Sequence, residues 1–360
     1  MRVLFLVPHP IEGPSSRFRV YQYLPYLAAN GIHATVRPFI NSRLSSIIYT
    51  DGNLAAKFGI VAAATAGRVG DILKSFNYDV VYVLREAFPF GPPLFEYCFR
   101  KFSGRLIFDF DDAIYMRSLA FHNPLDRFRD WQKPAKVIAM STHVVVGSVH
   151  LRNYARRYIH DEAVSVIPTV VDTTQYAVVP FRQTDRVTIG WIGTPRGSCY
   201  LFDLLDVFNA LAKRFPAIAF KFVGALPFEV GALPVQFKDW RLDEEIADIQ
   251  SFDIGIMPLT DDEETRGKCG FKLIQYLSAG VPAVCSPIGA NCDIVEHAQS
   301  GFFAQNAAQW EEALATLIDD EALRRRFGAH GRARVESHYS LIMAAPKMLD
   351  VLHRVADARL

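Results

Sequence analysis

Cysteine is scarce: the 360 residues hold five, Cys98, Cys199, Cys269, Cys285 and Cys292, an odd number with no CxxC or Cys/His spacing. That pattern argues against a disulfide framework and a thiolate metal site, and for reduced thiols in the cytoplasm. Charge excess is equally small, with 39 Lys+Arg against 38 Asp+Glu and a formal net charge of +1. Neither half has the strong positive excess or clustered basic run that a nucleic-acid footprint needs. No apolar run approaches the roughly 20 residues of a membrane-spanning helix. The longest weakly polar stretch, residues 54–73, is broken by Lys57, Gly59, Gly67, Arg68 and Gly70, and reads as a helix of the N-terminal half. The opening run, Met1-Arg-Val-Leu-Phe-Leu-Val, stops at Pro8-His-Pro10 without a small-residue cleavage pattern, so it reads as a buried strand and not a leader. A GxGxxG fingerprint and a loop ending in Gly-Lys-Ser/Thr are both missing, which weakens the dehydrogenase and ATPase readings.

What is present is length and apolar content for two ordinary domains, since half the residues are hydrophobic. Short apolar runs at residues 2–7, 35–39, 79–84, 105–110, 143–148 and 164–168 alternate with helical stretches. Such alternation gives a parallel, doubly wound sheet. A helix is expected from about Val20 to Asn30, stopped by Gly31. The pattern is interrupted near Thr169 to Arg186, by Asp172-Thr-Thr-Gln and Pro180-Phe-Arg-Gln-Thr-Asp, and restarts with Val187-Thr-Ile-Gly-Trp-Ile-Gly193. The division proposed is residues 1–178, 179–345 and a terminal segment 346–360. Residues 1–180 carry 20 Lys+Arg and 14 Asp+Glu, an excess of +6; the remainder carry 19 and 24, an excess of −5. The basic half is the one suited to an anionic acceptor or the inner face of a membrane.

The most informative stretch is Arg266-Gly-Lys-Cys-Gly-Phe-Lys-Leu-Ile-Gln-Tyr-Leu-Ser-Ala-Gly-Val-Pro282. At 100° per residue Lys268, Lys272 and Gln275 share one face and Leu273, Ile274 and Leu277 the other, and Gly280-Val-Pro282 is a stop signal. The reading is an amphipathic helix with both lysines in its first turns. Cations there are unfavourable unless an anion is bound, so Lys268, Lys272 and the terminal amides are candidates to hold a phosphate or diphosphate. Gln275 would then meet a sugar hydroxyl. The alternative is a solvated lysine face; glycines on both sides of Lys268 favour close approach of a ligand.

Gly-Lys-Cys-Gly-Phe-Lys-Leu-Ile-Gln-Tyr-Leu-Ser-Ala-Gly-Val-Pro-Ala-Val, flanked by Asp253-Ile-Gly-Ile-Met-Pro-Leu and Ser286-Pro-Ile-Gly-Ala-Asn, resembles the donor-binding segment of retaining glycosyltransferases of family 4. The resemblance implies an α/β chain of GT-B fold, two Rossmann-like domains with parallel sheets facing across a cleft, and a nucleotide-sugar donor. It also implies a terminal helix that crosses back to the first domain. The family's two glutamates, separated by seven residues, are replaced here by Gly267 and Gln275, which leaves the ribose-binding role to Gln275. Gly193, Thr194, Arg196, Lys268, Gly270, Phe271, Lys272 and Gln275 form the implied donor set, and Trp240 lies in the turn that faces the base in the family, with packing as its alternative.

In the N-terminal half, Phe108-Asp-Phe-Asp-Asp-Ala-Ile-Tyr115 crowds Asp109, Asp111 and Asp112 at one strand end. Crowded acids need a cation or donors between them. A metal site is one reading; the resemblance implies no metal and no cofactor. By the family's His-Asp pattern Asp111 stands in the histidine's place and Asp112 keeps the aspartate, making these the catalytic candidates, with helix capping as the alternative. Arg17, Arg19, Arg85 and Glu86 are the acceptor-side candidates, with a structural ion pair as the equal alternative for Arg85-Glu86. Between Phe88 and Trp131 aromatic and basic residues alternate, suiting a lipid-linked acceptor at a membrane face if they are not core. The function expected is transfer of a sugar, with retention, to a hydroxyl of a glycan or lipid-linked acceptor in glycoconjugate or polysaccharide synthesis. Alternatives are a GT-B sugar-nucleotide epimerase and a non-catalytic glycan-binding or partner subunit.

Overall fold

The computed structural model describes residues 1–41, 54–117, 127–178 and 186–358. The sequence run Pro180–Asp185 at the expected domain boundary lies outside them. The described chain forms two compact units: residues 1–41, 54–117, 127–170 and 341–358 in one, residues 171–178 and 186–340 in the other.

The first unit is built on a six-stranded parallel sheet, order β2-β1-β3-β4-β5-β6. Its strands are β1 (Arg2–Val7), β2 (His33–Pro38), β3 (Val80–Leu84), β4 (Leu106–Phe110), β5 (His143–Val146) and β6 (Val164–Val166). β3 and β4 are buried at every position, which is why they read as unbroken apolar runs and not as alternating ones. The segment after β1 departs from expectation. Helix begins at Pro14, with Pro at its first position, and runs to Arg19; after a short 3₁₀ turn a second helix spans Leu24–Ala29. Pro25 lacks an amide hydrogen and forces this restart. The helix Leu54–Lys74 forms where the weakly polar stretch suggested it.

The terminal helix, Leu341–Asp357, belongs to this first unit. It buries Ala344, Ala345, Met348, Val351, Leu352 and Val355 with Val3, Phe5, Tyr82 and Ile107 of the sheet. Helical spacing of those six residues supplies one continuous apolar stripe.

The second unit repeats the plan, with sheet order β12-β11-β10-β7-β8-β9. The strands are β7 (Val187–Ile192), β8 (Ile218–Val223), β9 (Val235–Lys238), β10 (Ile254–Met257), β11 (Ala283–Cys285) and β12 (Gly301–Phe303). Its core gathers Trp191, Phe208, Phe220 and Phe222 with Trp310, Leu314 and Phe327. Residues 171–178, placed by sequence on the first domain's side, belong here: Arg332 donates to the carbonyls of Thr173 (2.8 Å) and Tyr176, and Val171 pairs with Ser340. The units therefore divide at 170/171 and 340/341, not at 178/179 and 345/346. Both sheets are parallel, so each unit gathers the carboxyl ends of its strands, and the loops after them, at one edge.

Candidate functional site

In the first unit that edge is an ordered charge network. Asp109, on β4, is fully buried; Arg19 grips it with both nitrogens, Nε to Oδ2 at 2.9 Å and Nη2 to Oδ1 at 2.5 Å. The Tyr82 hydroxyl donates to the same carboxylate at 2.7 Å, and Arg19 Nη1 donates to the Ile167 carbonyl at 2.6 Å. Burial pushes the Asp109 carboxyl up, and Arg19 and Tyr82 pull against that. Arg19 is only 2% exposed, so it is a buttress under the strand ends and not an acceptor-side residue. The sequence could not separate it from Arg17, which packs its guanidinium 4.4 Å from the Phe18 ring.

Asp111, two residues on, has its own partners. Arg85 Nε donates to Oδ1 at 2.8 Å and the Ser15 hydroxyl to Oδ2 at 2.8 Å, and Arg85 Nη2 also pairs with Asp112. Burial opposes ionisation of Asp111, but Arg85 and Arg19, with the Arg85 and Ser15 hydrogen bonds, hold its carboxyl below the usual range. Asp111 is 3% exposed, whereas the Asp112 side chain is partly open. Gly147 makes this packing possible: a Cβ there would sit 3.2 Å from the Asp111 Cα. Arg85 occupies the left-handed region, φ 61°, an unusual place for a side-chain-bearing residue, and its two-carboxylate grip offsets that strain. The expected Arg85-Glu86 pair does not form as such. Glu86 instead accepts from Arg129 at 3.0 and 3.1 Å. Successive residues at a turn point apart, which adjacency in sequence conceals. His9, just past β1, was missed by sequence reasoning. Burial, then the positive charge of Arg85, lowers its pKa to about 4, so it is neutral at physiological pH.

Among the described residues no group of three or more His, Cys, Asp or Glu is arranged to hold a metal ion. The three crowded acids are held by two guanidiniums, Arg19 on Asp109 and Arg85 on both Asp111 and Asp112.

In the second unit the loop after β7 is forced into close contact. The Gly193 amide donates to the Val223 carbonyl at 3.0 Å; Gly224, with φ 75°, lies so close that a Cβ on it would sit 2.2 Å from the Gly193 carbonyl oxygen. A Cβ on Gly193 would come within 2.6 Å of the Trp191 ring and 2.8 Å of Lys272 Cε. Lys272 Nζ in turn lies 5.5 Å from the Trp191 ring centroid, a cation–π distance. Thr194 caps the 3₁₀ segment Pro195–Leu204, its carbonyl accepting from the Gly197 amide at 2.8 Å. Strand end, glycine loop and lysine helix therefore meet at one place.

The helix is shorter than expected, Phe271–Ser278, with Gly270 as its N-cap at φ 65°. Lys272 lies in its first turn; Lys268 lies three residues before its start, with Nζ 6.0 Å from the Tyr200 ring. The left-handed backbone at Gly270 breaks the run of helical dihedrals, and a Cβ there would sit 2.4 Å from Ile294 Cδ1, so the position suits only glycine. Phe271 is thus the first helical residue. The acidic run before Lys268, Asp261-Asp-Glu-Glu264, has partners within its own loop and across from it. Asp261 pairs with Arg266 (2.8 Å), Asp262 caps the helix Glu263–Arg266 through the Thr265 amide (2.8 Å), and Glu264 takes Arg196 (2.9 Å). Arg196 is accordingly tied to that loop.

Gln275 is 5% exposed. Its Nε2 donates to Glu245 Oε1 at 3.0 Å and to the Tyr176 hydroxyl at 3.1 Å. Glu245 Oε2 accepts from the Trp240 indole at 2.8 Å, which holds Trp240 by its polar edge. Glu245 was not singled out in the sequence because it follows Asp243 and Glu244; those two face Arg241 and Lys238.

No helix of the described residues is long and apolar enough to cross a membrane. Residues 186–320 match the family model described as glycosyl transferases group 1. No curated protein sequence matches the chain. Among solved structures, Anabaena Alr3699/HepE in complex with UDP and glucose superposes with a TM-score of 0.70 at 16% identity, covering 98% of this chain and 100% of that one. Sucrose-phosphate synthase from Thermosynechococcus elongatus gives a TM-score of 0.70 at 15% identity over 98% of each chain. A glycosyltransferase from Rickettsia africae gives 0.68 at 14% over 99% of each. The chain thus has the GT-B fold, two Rossmann-like domains, and its residues 186–320 are similar to the glycosyl transferases of group 1.

Proposed function

We propose that the protein is a retaining, metal-independent glycosyltransferase that moves a sugar from a nucleoside diphosphate sugar to a hydroxyl of a glycan or lipid-linked acceptor. The observation that carries this reading is the convergence of Gly193, Lys272 and the start of the Phe271–Ser278 helix within the matched segment. A diphosphate fits the positive helix terminus, with Lys272 beside it and Lys268 reaching from the preceding turn. As the bond from the sugar's anomeric carbon to the phosphate oxygen breaks, negative charge grows on the diphosphate, and cations fixed there stabilise it most at that moment. The departing phosphate oxygen takes the acceptor hydroxyl's proton while the acceptor oxygen bonds to the anomeric carbon on the same face, which keeps the configuration.

In the first unit Asp111 and Asp112, joined through Arg85, are the groups assigned to the transferred sugar's hydroxyls. Their pairing with Arg85 supports chemistry without a metal, because one guanidinium already bridges the two carboxylates. Glu86, Arg17 and the basic excess of this half are assigned to an anionic or lipid-linked acceptor at the cytoplasmic face of a membrane. Neighbouring structures in complex with UDP make UDP the first donor nucleotide to try.

Calorimetric titration of UDP, GDP, ADP and dTDP into the wild type and the Lys268→Ala, Lys272→Ala double variant tests this. One nucleotide should bind the wild type, and its affinity should fall about 100-fold in the variant, as expected for losing two charge-assisted contacts. Binding of none of the four to the wild type would sink the donor assignment.

A further inference from the structure

We propose that Glu245 is a positioning residue for the donor's ribose: it captures the Gln275 amide nitrogen, so that Gln275 presents only its carbonyl oxygen, as an acceptor, to the ribose 2′-hydroxyl. This rests on the nucleotide-sugar reading above and assigns a group that neither the sequence nor the matched family names.

A glutamine side chain is ambiguous, offering two donors at one end and an acceptor at the other, and nothing intrinsic decides which end faces a ligand. Here the surroundings decide. Glu245 Oε1 lies 3.0 Å from Gln275 Nε2; turning the amide over would set its oxygen against a carboxylate and forfeit the bond. The Tyr176 hydroxyl is shared between Gln275 Nε2 (3.1 Å) and Glu245 Oε1 (3.4 Å) and closes the triangle. Among the described residues none donates to Gln275 Oε1. Gln275 therefore behaves as half a carboxylate: one oxygen, acceptor only. The charge itself has moved to Glu245, on the short helix Glu245–Gln250, and its second oxygen anchors the Trp240 indole at 2.8 Å. One carboxylate so fixes two side chains of the nucleotide-facing loops.

A lone acceptor in a nearly buried setting discriminates by hydroxyl donors. The ribose 2′-hydroxyl satisfies Oε1, whereas a 2′-deoxyribose leaves it without that donor. The expected consequence is a preference of about tenfold for ribonucleotides over 2′-deoxyribonucleotides, the equivalent of one net hydrogen bond.

The experiment titrates UDP, GDP, ADP and CDP and their 2′-deoxy counterparts into the full chain as wild type, Glu245→Gln, and the charge swap Glu245→Gln with Gln275→Glu. In Glu245→Gln the amide of Gln275 is no longer oriented by a charge, and the ribo/deoxy ratio should fall to within about threefold of unity. The swap puts the carboxylate at 275 and an amide at 245, and should restore the ratio. A merely structural role for Glu245 would weaken ribo and deoxy ligands together and leave the ratio alone. A wild-type ratio of one, or a ratio unchanged in Glu245→Gln, overturns the inference while the donor reading stands; binding of no nucleotide to the wild type overturns both. If Glu245→Gln does not fold, the swap decides: a wild-type ratio supports the inference and a ratio of one refutes it.

Discussion

At the scale of single residues, burial separates the roles of side chains that look alike in sequence. Arg17, Arg19 and Arg85 are three arginines near strand ends, yet Arg19 is sealed against Asp109 while Arg85 joins Asp111 to Asp112. Arg19→Met should accordingly cost about 3–5 kcal/mol, because it leaves the Asp109 carboxylate buried with only the Tyr82 hydroxyl. Urea unfolding measures this, and the double change Arg19→Met with Asp109→Leu should recover most of the loss. Protein that folds should bind acceptor with an unchanged KM. A shifted KM at unchanged stability would return Arg19 to the acceptor side. The acids themselves were legible as a cluster needing a counter-charge; which arginine supplies it depends on side-chain reach across three strands, and sequence spacing holds no record of that.

At the scale of elements, the strands could be read because buried parallel strands are written as plain apolar runs, and β3, β4, β7 and β10 begin and end close to those runs. Helix starts were harder. Lys268 and Lys272 have ideal helical spacing, but the left-handed backbone at Gly270 breaks the helix between them, a conformation the sequence signals only by a glycine. The loop after β7 shows how such glycines separate binding from stability. Gly193→Ala puts a methyl against the buried Trp191 ring and against the stem of Lys272, and the lysine stem is the part able to move. Nucleotide affinity should fall roughly tenfold with a stability loss of about 1–3 kcal/mol. Gly224→Ala meets backbone instead of side chain and strains a left-handed residue, so its effect should be mainly on stability. Equal unfolding midpoints for the two variants would contradict that division.

At the scale of the whole molecule, two sheets with separate cores imply that ligand binding can be located by which core it stabilises. The terminal helix contributes its apolar stripe to the first unit's core, whereas every residue assigned to the donor's nucleotide, from Gly193 to Gln275, sits on the second unit. A ligand that binds only the folded second unit at 100 times its Kd adds about 2.7 kcal/mol to that unit's unfolding, which slows amides exchanging by its global opening about 100-fold. Hydrogen exchange of the full chain with saturating nucleoside diphosphate should therefore show that slowing in β7, β8, β10 and β11. Strands β1, β3, β4 and β5 should slow only as far as their opening depends on the second unit's. Slowing confined to the first unit would place the nucleotide on the Asp111 side and reverse the assignment of the lysine segment, however well its sequence fits. Equal slowing everywhere would mean that the two cores open as one, and the site would then have to be located by the Lys272 and Gly193 variants alone.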